Sequence, residues 1–286
     1  MTDRAQALEA IQFHYDVGNP FYALWLDPRM VYSCAMWTPG IAADDLAGAQ
    51  LAKLDYHLAQ VRVQEARSLL DVGCGWGALL LRALESGGKL ERAVGLTLSE
   101  EQHDHVAQAA LQHPRMACKL ENWLDHQPEQ PYDGIVSIGA FEHFATAQDS
   151  QEQRLEKYRA FFRFCRDAMV RGGRLSLQTI AYLNMDRRDA SQFMAAEIFP
   201  HSDLPYLSEV TTACEGILEI TTVRNDRLDY ARTCNLWLRQ LKQQRAAAER
   251  VAGKEVVEKF EKYLALSSVG FHQGKLCLLR LTAQRT

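Results

Sequence analysis

Short apolar runs alternate with amphipathic stretches through the middle of this chain. The runs have the length of buried strands, and the stretches between them repeat apolar residues with a helical period. The pattern predicts strands at 68–73, 93–99, 132–140 and 173–180, and helices at 77–87, 100–112 and 156–170. Strands joined through helices of this length need crossover connections, which make neighbouring strands parallel. We therefore predict an α/β fold.

The flanking segments differ from this regular middle. Residues 1–62 predict a helical N-terminal cap, interrupted at 18–40 by an irregular stretch dense in aromatic and turn residues. Residues 63–180 form the predicted core, and 181–205 are charged, lack a clean period and predict an inserted lid. Residues 206–286 return to the α/β pattern, with C-terminal helices and a final strand. We expect a single domain.

Composition and charge narrow the class of protein. The 286 residues carry a net charge of −4 and are 47% hydrophobic, which is typical of a globular chain and disfavours a dedicated nucleic-acid binder. No apolar run is long enough to span a membrane, and the N-terminus lacks the apolar core of a secretory signal. The 7 cysteines are odd in number and never spaced CxxC. They indicate free thiols in a reducing, cytoplasmic setting and no metal site.

The strongest local motif is the glycine-spaced turn at Leu69–Gly77. An apolar strand enters it and a helix follows, and Gly73 and Gly75 let the backbone pass close to a ligand where a Cβ would collide. Asp71 precedes the first glycine, where it orders the loop or accepts a hydrogen bond from a ligand ammonium. Glycines also serve plain strand–turn–helix connections, but this combination favours a nucleoside ligand.

This run resembles motif I of class I S-adenosylmethionine (SAM) methyltransferases. Further motifs occur in order along the chain: His14–Val17, Tyr32–Cys34, Val94–Ser99 with Gln102, Ser137–Phe144, Glu197–Pro200, and Tyr230–Thr233 with Trp237. Together they resemble the cyclopropane fatty acid synthase family, which includes mycolic acid cyclopropane synthases. The resemblance implies a Rossmann-like sheet with helices on both faces. It also implies SAM as cofactor and methyl transfer to an alkene carbon through a carbocation.

The resemblance carries over a set of cofactor-binding positions. Two lie over the methionine part of SAM, two beneath it, three at the end of the second strand, one packs on the adenine, and one more has no specific contact assigned. In that order they are Tyr32 and Ser33, Gly73 and Gly75, Thr97, Leu98 and Gln102, and Trp123 and Ile138; Asp71 completes the set. Trp123 is expected to stack on adenine, because large amphipathic aromatics suit purines. Its alternative is a half-buried aromatic on a loop.

Family enzymes hold a bicarbonate ion beside the reaction centre, and the resemblance places Cys34, Glu142 and Tyr230 at three of its positions. Glu142 ends a buried-looking strand, where an unpaired carboxylate is costly, and is the first catalytic candidate. His143 fits a catalytic role and a purely structural role equally well. Nothing in the sequence places a base beside Cys34, so we do not expect a nucleophile there.

The fourth bicarbonate-binding position differs from the family pattern, because this chain has Gln178 where the family has histidine. An amide donates hydrogen bonds to an anion but carries no positive charge and relays no proton. Either bicarbonate binds more weakly, or the base is Glu142 or Tyr230. We therefore hypothesise that simple proton loss gives a methylated alkene in preference to ring closure.

The sequence leaves several classes of methyl acceptor possible. An unsaturated lipid is the first candidate, and Arg187 and Arg188 in the lid suggest a small isoprenoid diphosphate, although a solvated charged turn explains them as well. A small-molecule N-methyltransferase and a SAM-binding scaffold without catalysis are the remaining alternatives. No basic amphipathic stretch stands out, so membrane contact has no support in the sequence.

Overall fold

A seven-stranded sheet forms the centre of the fold in the computed structural model, which describes residues 17–189 and 203–286. The strand order is β3-β2-β1-β4-β5-β7-β6. The strands are β1 Ser68–Val72, β2 Arg92–Thr97, β3 Met116–Leu120, β4 Tyr132–Ile138, β5 Met169–Tyr182, β6 Glu219–Asn225 and β7 Leu276–Gln284. The motifs at His14–Asp16 and Glu197–Pro200, and most of the predicted lid, lie outside the described residues.

The helices follow the predicted alternation. The helices are α1 Asn19–Tyr22, α2 Leu46–Gln60, α3 Ala78–Glu85, α4 Glu100–Ala110, α5 Gln151–Ala168, α6 Leu207–Cys214, α7 Arg227–Gln243, α8 Arg245–Ala252 and α9 Lys254–His272. The Asp45 side chain caps α2 by accepting from the Gly48 amide at 2.8 Å. The stretch between α1 and α2 is irregular, as its aromatic and turn residues indicate. Within the described ranges, no helix combines the length and apolar character that crossing a bilayer requires.

The pairing pattern divides the sheet into two parts. β1 to β5 pair in parallel, as the crossover pattern predicts. β7 runs antiparallel to both β5 and β6. Strand β3 escapes the sequence prediction because it is an edge strand in which Met116 alone is buried, so it shows no apolar run. β5 also includes Ala181 and Tyr182, the first two residues of the predicted lid, and both pair with β7.

Apolar side chains fill both faces of the sheet. One core lies between the sheet and helices α2 and α3, and a second contains the phenylalanines of α5. A third joins the irregular aromatic stretch after α1 to helices α7 and α9. This last core includes the fully buried rings of Trp25 and Trp237, 5.9 Å apart. The irregular stretch around Tyr32 thereby lies beside the carboxyl ends of the strands.

Candidate active site

A cleft opens at the carboxyl ends of the parallel strands, where α/β sheets bind their ligands. Together with the open solvent at its mouth, the space between its walls is about 1110 Å³. Its walls come from the turns after β1, β2, β3 and β4, together with the segment around Tyr32. All the cofactor-binding residues predicted from the sequence line it: Tyr32, Ser33, Asp71, Gly73, Gly75, Thr97, Leu98, Gln102, Trp123 and Ile138.

The glycine turn forms the floor of this cleft. Gly73 and Cys74 donate backbone hydrogen bonds to the Leu96 carbonyl at 2.9 and 3.0 Å, which ties the turn to the neighbouring strand. Gly73 has a φ of +80°, and a Cβ there would meet Ala140 Cβ at 2.7 Å. Gly75 has a φ of +53°, but a Cβ on it would meet no atom within 4 Å. Gly75 therefore borders open space, as a residue beneath a ligand must.

Asp71 lies at the bottom of the cleft with its carboxylate buried. Burial raises the pKa of this carboxyl to about 7, although the nearby Lys53 ammonium lowers it. No described residue donates a hydrogen bond to it. The Lys53 Nζ instead donates to Ser33 Oγ at 2.8 Å, and burial, followed by the charge of Arg280, lowers the pKa of that lysine to about 7. A buried carboxylate without a donor fits a ligand ammonium group.

The wall after β2 is held by side-chain hydrogen bonds. Thr97 Oγ1 donates to Gln102 Oε1 at 2.8 Å, and the Ser99 amide donates to Thr97 Oγ1 at 3.2 Å. The Trp123 ring packs 5.1 Å from the ring of Phe144, which also lines the cleft.

Two further residues that line the cleft, Lys53 and Glu121, were not predicted from the sequence, because neither belongs to a motif. In the sequence, Lys53 looks like an ordinary polar position of α2.

Glu142 lies beside this cleft on a short 3-10 turn, Phe141–His143. Its Oε1 accepts a hydrogen bond from the Ile180 amide at 2.7 Å, whereas no described group donates to its buried Oε2. Burial raises the pKa of the carboxyl to about 7, although the hydrogen bond from the Ile180 amide lowers it. This carboxyl is able to exchange a proton near neutral pH.

Cys34 and Gln178 are brought together by a residue that the sequence did not single out. Arg280, on β7, is 0% exposed; its Nε donates to Gln178 Oε1 at 2.9 Å and its Nη2 to the Cys34 carbonyl at 3.4 Å. His57 Nε2 lies 3.3 Å from the same Gln178 oxygen. Burial raises the pKa of the Cys34 thiol to about 12, so it stays protonated, as expected.

Tyr230 packs next to these residues, its ring stacked 4.4 Å from that of Phe271. Burial raises the pKa of its phenol well above the usual value, and the nearby Cys34 and Glu142 contribute. We call Cys34, His57, Glu142, Gln178, Tyr230 and Arg280 the buried polar cluster. His143 is separate, since it lines the cofactor cleft, and burial lowers its pKa to about 4, which keeps it neutral.

Arg187 and Arg188 have partners of their own. Arg187 Nη2 is 2.8 Å from Glu209 Oε2, and its Nε is 2.7 Å from Asp203 Oδ2. The exposed Arg188 pairs with Asp186 at 2.8 Å. This arrangement favours the structural alternative for the pair over a phosphate site. Among residues 17–189 and 203–286, no three His, Cys, Asp or Glu side chains gather as metal ligands.

The comparisons with known proteins agree with this geometry. A family model described as mycolic acid cyclopropane synthetase matches residues 2–281 of the chain. The chain belongs to this family. Cyclopropane mycolic acid synthase 1 of Mycobacterium tuberculosis is 34% identical over 293 residues, covering 96% of each chain. Cyclopropane mycolic acid synthase 2 of Mycobacterium leprae is 33% identical over 280 residues, covering 90% of this chain and 87% of that one.

A solved structure of a family member shows the same fold. The crystal structure of mycolic acid cyclopropane synthase CmaA1 complexed with SAH and CTAB matches with a TM-score of 0.85 at 32% identity, covering 97% of this chain and 98% of that chain. Membership in the mycolic acid cyclopropane synthetase family confirms the predicted class I methyltransferase fold, and the protein is a SAM-dependent methyltransferase.

Proposed function

We propose that the protein transfers the SAM methyl group to a carbon of a C=C bond in an unsaturated lipid. The observation that carries this proposal is Glu142. A buried carboxyl with a pKa of about 7 and one oxygen without a described donor lies beside the cofactor cleft, where a proton must be removed after methyl transfer. The family relatives named as cyclopropane mycolic acid synthases support a lipid acceptor.

The cleft residues would bind and orient the cofactor. Asp71 would accept a hydrogen bond from the methionine ammonium, and Gly75 would leave room beneath it. Thr97 and Gln102 would face the ribose, and Trp123 would stack on the adenine. When bound there, SAM supplies an electrophilic methyl group on a sulfonium.

The reaction requires a cation to be kept away from water. With SAM bound, the alkene π pair would form a bond to the methyl carbon as the S–C bond breaks and leaves its electron pair on sulfur, and the positive charge would move to the other alkene carbon. Tyr32 lines the cleft, and its ring lies 5.2 Å from those of both Trp25 and Trp237. Aromatic faces exclude water and attract positive charge, so this wall shields the carbocation.

Proton loss completes the reaction. Loss from the transferred methyl group closes a cyclopropane, and loss from a neighbouring carbon gives a methylated alkene. Of the two candidate bases, Glu142 suits the task, because its pKa of about 7 lies near neutrality, whereas burial raises the pKa of Tyr230 well above 10.0. Tyr230 therefore acts as a hydrogen-bond donor.

The buried polar cluster also fits a bicarbonate ion. Glu142 Oε2 has no described donor, and no described group accepts from the Gln178 NH₂. The acceptor oxygen of Glu142 and the donor NH₂ of Gln178 together match bicarbonate, which has one O–H and further acceptor oxygens. Cys34, Glu142, Gln178 and Tyr230 would hold it, and when bound it would supply an additional base.

A panel of acceptors tests the proposal. The protein is incubated with SAM and, separately, vesicles of unsaturated phospholipid, an unsaturated acyl thioester, geranyl diphosphate and a secondary amine. We expect methyl transfer to the lipid alkenes, and product NMR distinguishes a ring from a methylated alkene. Transfer to the amine alone would overturn C-methylation, and transfer to geranyl diphosphate alone would overturn the lipid acceptor. SAM binding without turnover on any acceptor would indicate a scaffold.

A further inference from the structure

Arg280 connects residues that are remote in the chain. It lies directly across from Gln178 in the β5–β7 register, with its side chain fully buried. Its Nη1 pairs with Asp226, its Nη2 donates to the Ala35 carbonyl at 3.0 Å, and its Nε donates to Gln178 Oε1 at 2.9 Å. All three nitrogens of the guanidinium are therefore engaged, which fixes its plane.

His57 supplies a second contact to the same amide. Its Nε2 lies 3.3 Å from Gln178 Oε1, and its Nδ1 lies 2.8 Å from Ser176 Oγ. Burial, with the charges of Arg280 and Lys53, lowers the pKa of this imidazole well below its ordinary value, so the ring is neutral. A neutral ring has one N–H, and the Ser176 hydroxyl is able to donate to Nδ1. Nε2–H then donates to Gln178 Oε1.

Two donors on one oxygen settle the orientation of the carboxamide. The NH₂ group occupies the other branch of the amide, away from Arg280 and His57. No described group accepts a hydrogen bond from it, so both of its N–H groups remain available.

We propose that Arg280 is a positioning residue for the reaction. Together with His57 it holds Gln178 so that the amide NH₂ donates to a bicarbonate ion beside Cys34 and Glu142. The Arg280 charge is shared with Asp226, so the contribution of Arg280 to anion binding is to orient the Gln178 NH₂ donors. This inference rests on the proposed function, because the anion would serve as an additional base only where a carbocation loses a proton.

Bicarbonate binding gives a direct test. The full chain saturated with SAH is titrated with ¹³C-bicarbonate by NMR, and SAH affinity is measured by calorimetry for each variant. We expect R280M to raise the bicarbonate Kd by about tenfold or more, R280K to raise it less, and both to leave the SAH Kd within about threefold. The matched control is R224Q, since Arg224 also pairs with Asp226, at 3.0 Å, without touching Gln178. It should leave both constants unchanged.

Kinetics separate a positioning role from a structural one. R280M should lower kcat and leave the KM for the acceptor unchanged, and R280K should recover part of the loss. A general loss of structure would instead weaken SAH binding as well. If R280M does not fold, Q178E decides the matter, because glutamate keeps an acceptor for Arg280 but removes the NH₂ donors. Q178E should raise the bicarbonate Kd by at least the same factor.

The outcomes also separate this inference from the proposed function. A wild-type protein that methylates alkenes but binds no bicarbonate would overturn the inference alone, as would an unchanged bicarbonate Kd in R280M or in Q178E. A wild-type protein that binds SAH and methylates no alkene would overturn the proposed function itself.

Discussion

The cofactor cleft and the buried polar cluster lie side by side but are built in opposite ways. The cleft is open, its floor is backbone, and Gly75 borders empty space. The cluster is closed, and charged or polar side chains hold one another in it. Asp71 in the cleft has no described donor, whereas Gln178 in the cluster has both Arg280 and His57 around one oxygen.

The two regions therefore compensate buried charge in different ways. In the cleft, the proposed ligand would complete the electrostatics, because its ammonium group would supply the hydrogen-bond donor that the Asp71 carboxylate lacks. In the cluster, the protein supplies most of the compensation before any ligand arrives, as Arg280 does for Asp226 and Gln178. Substitutions in the cleft should therefore affect cofactor affinity, and substitutions in the cluster should affect the chemical step.

The largest effect should come from Glu142→Gln. The amide cannot take up a proton, so kcat for methyl transfer should fall by about 10²- to 10⁴-fold, the range expected for loss of a general base. SAH affinity should stay within about threefold, because Glu142 does not line the cleft. Single-turnover kinetics and SAH calorimetry measure the two quantities.

A matched control for this change is Glu209→Gln. Glu209 and Glu142 are equally buried, at 6% exposure, but Glu209 pairs with Arg154 and Arg187 away from both regions. Its variant should lose stability and keep kcat. If E142Q retained full kcat, or lost SAH affinity as strongly as kcat, the division between cleft and cluster would fail.

The next largest effect should come from Gly75→Val. The new side chain would occupy the space beneath the ligand, so SAH affinity should fall by about 100-fold, or roughly 2.7 kcal/mol. Gly87→Val is the control, because Gly87 also has a positive φ, +77°, and open space around its Cβ position, but lies outside the cleft. Both variants should lose similar stability, of about 1–2 kcal/mol. Equal SAH affinity in the two would contradict a ligand above Gly75.

The same contrast explains how far the sequence could predict each region. The cleft residues belong to short motifs at strand ends, so local patterns locate Gly73, Gly75 and Thr97, and the structure brings them together. The cluster depends on pairing between distant segments. Arg280 is 102 residues from Gln178, and only the antiparallel register of β7 makes them neighbours. On the sequence alone, Arg280 interrupts an apolar strand without indicating its partner.

His57 was missed for a related reason. It occupies the buried face of α2, within an apolar stripe that predicts a helix, and nothing in that stripe indicates that the face meets β5. The parallel part of the fold was predictable because alternating strands and helices dictate crossovers. Strand β3 was not, since an exposed edge strand carries little apolar signal.

The smallest effect, in pH dependence, should distinguish the two buried carboxyls. Burial raises the pKa of Asp71 to about 7, so below that pH the carboxyl is neutral, and binding an ammonium group must first release its proton. SAH affinity should therefore rise as the pH increases from 5 to 7 and level off above 7. The total rise should be at most about tenfold for each unit by which SAH binding lowers the Asp71 pKa. Loss of the Lys53 proton acts in the same direction, because it removes a cation near the ligand ammonium. Asp71→Asn should flatten most of the rise and Glu142→Gln should preserve it, with calorimetry across the range as the measurement. A flattened profile in E142Q, with a wild-type profile in D71N, would reverse the assignment of the two carboxyls.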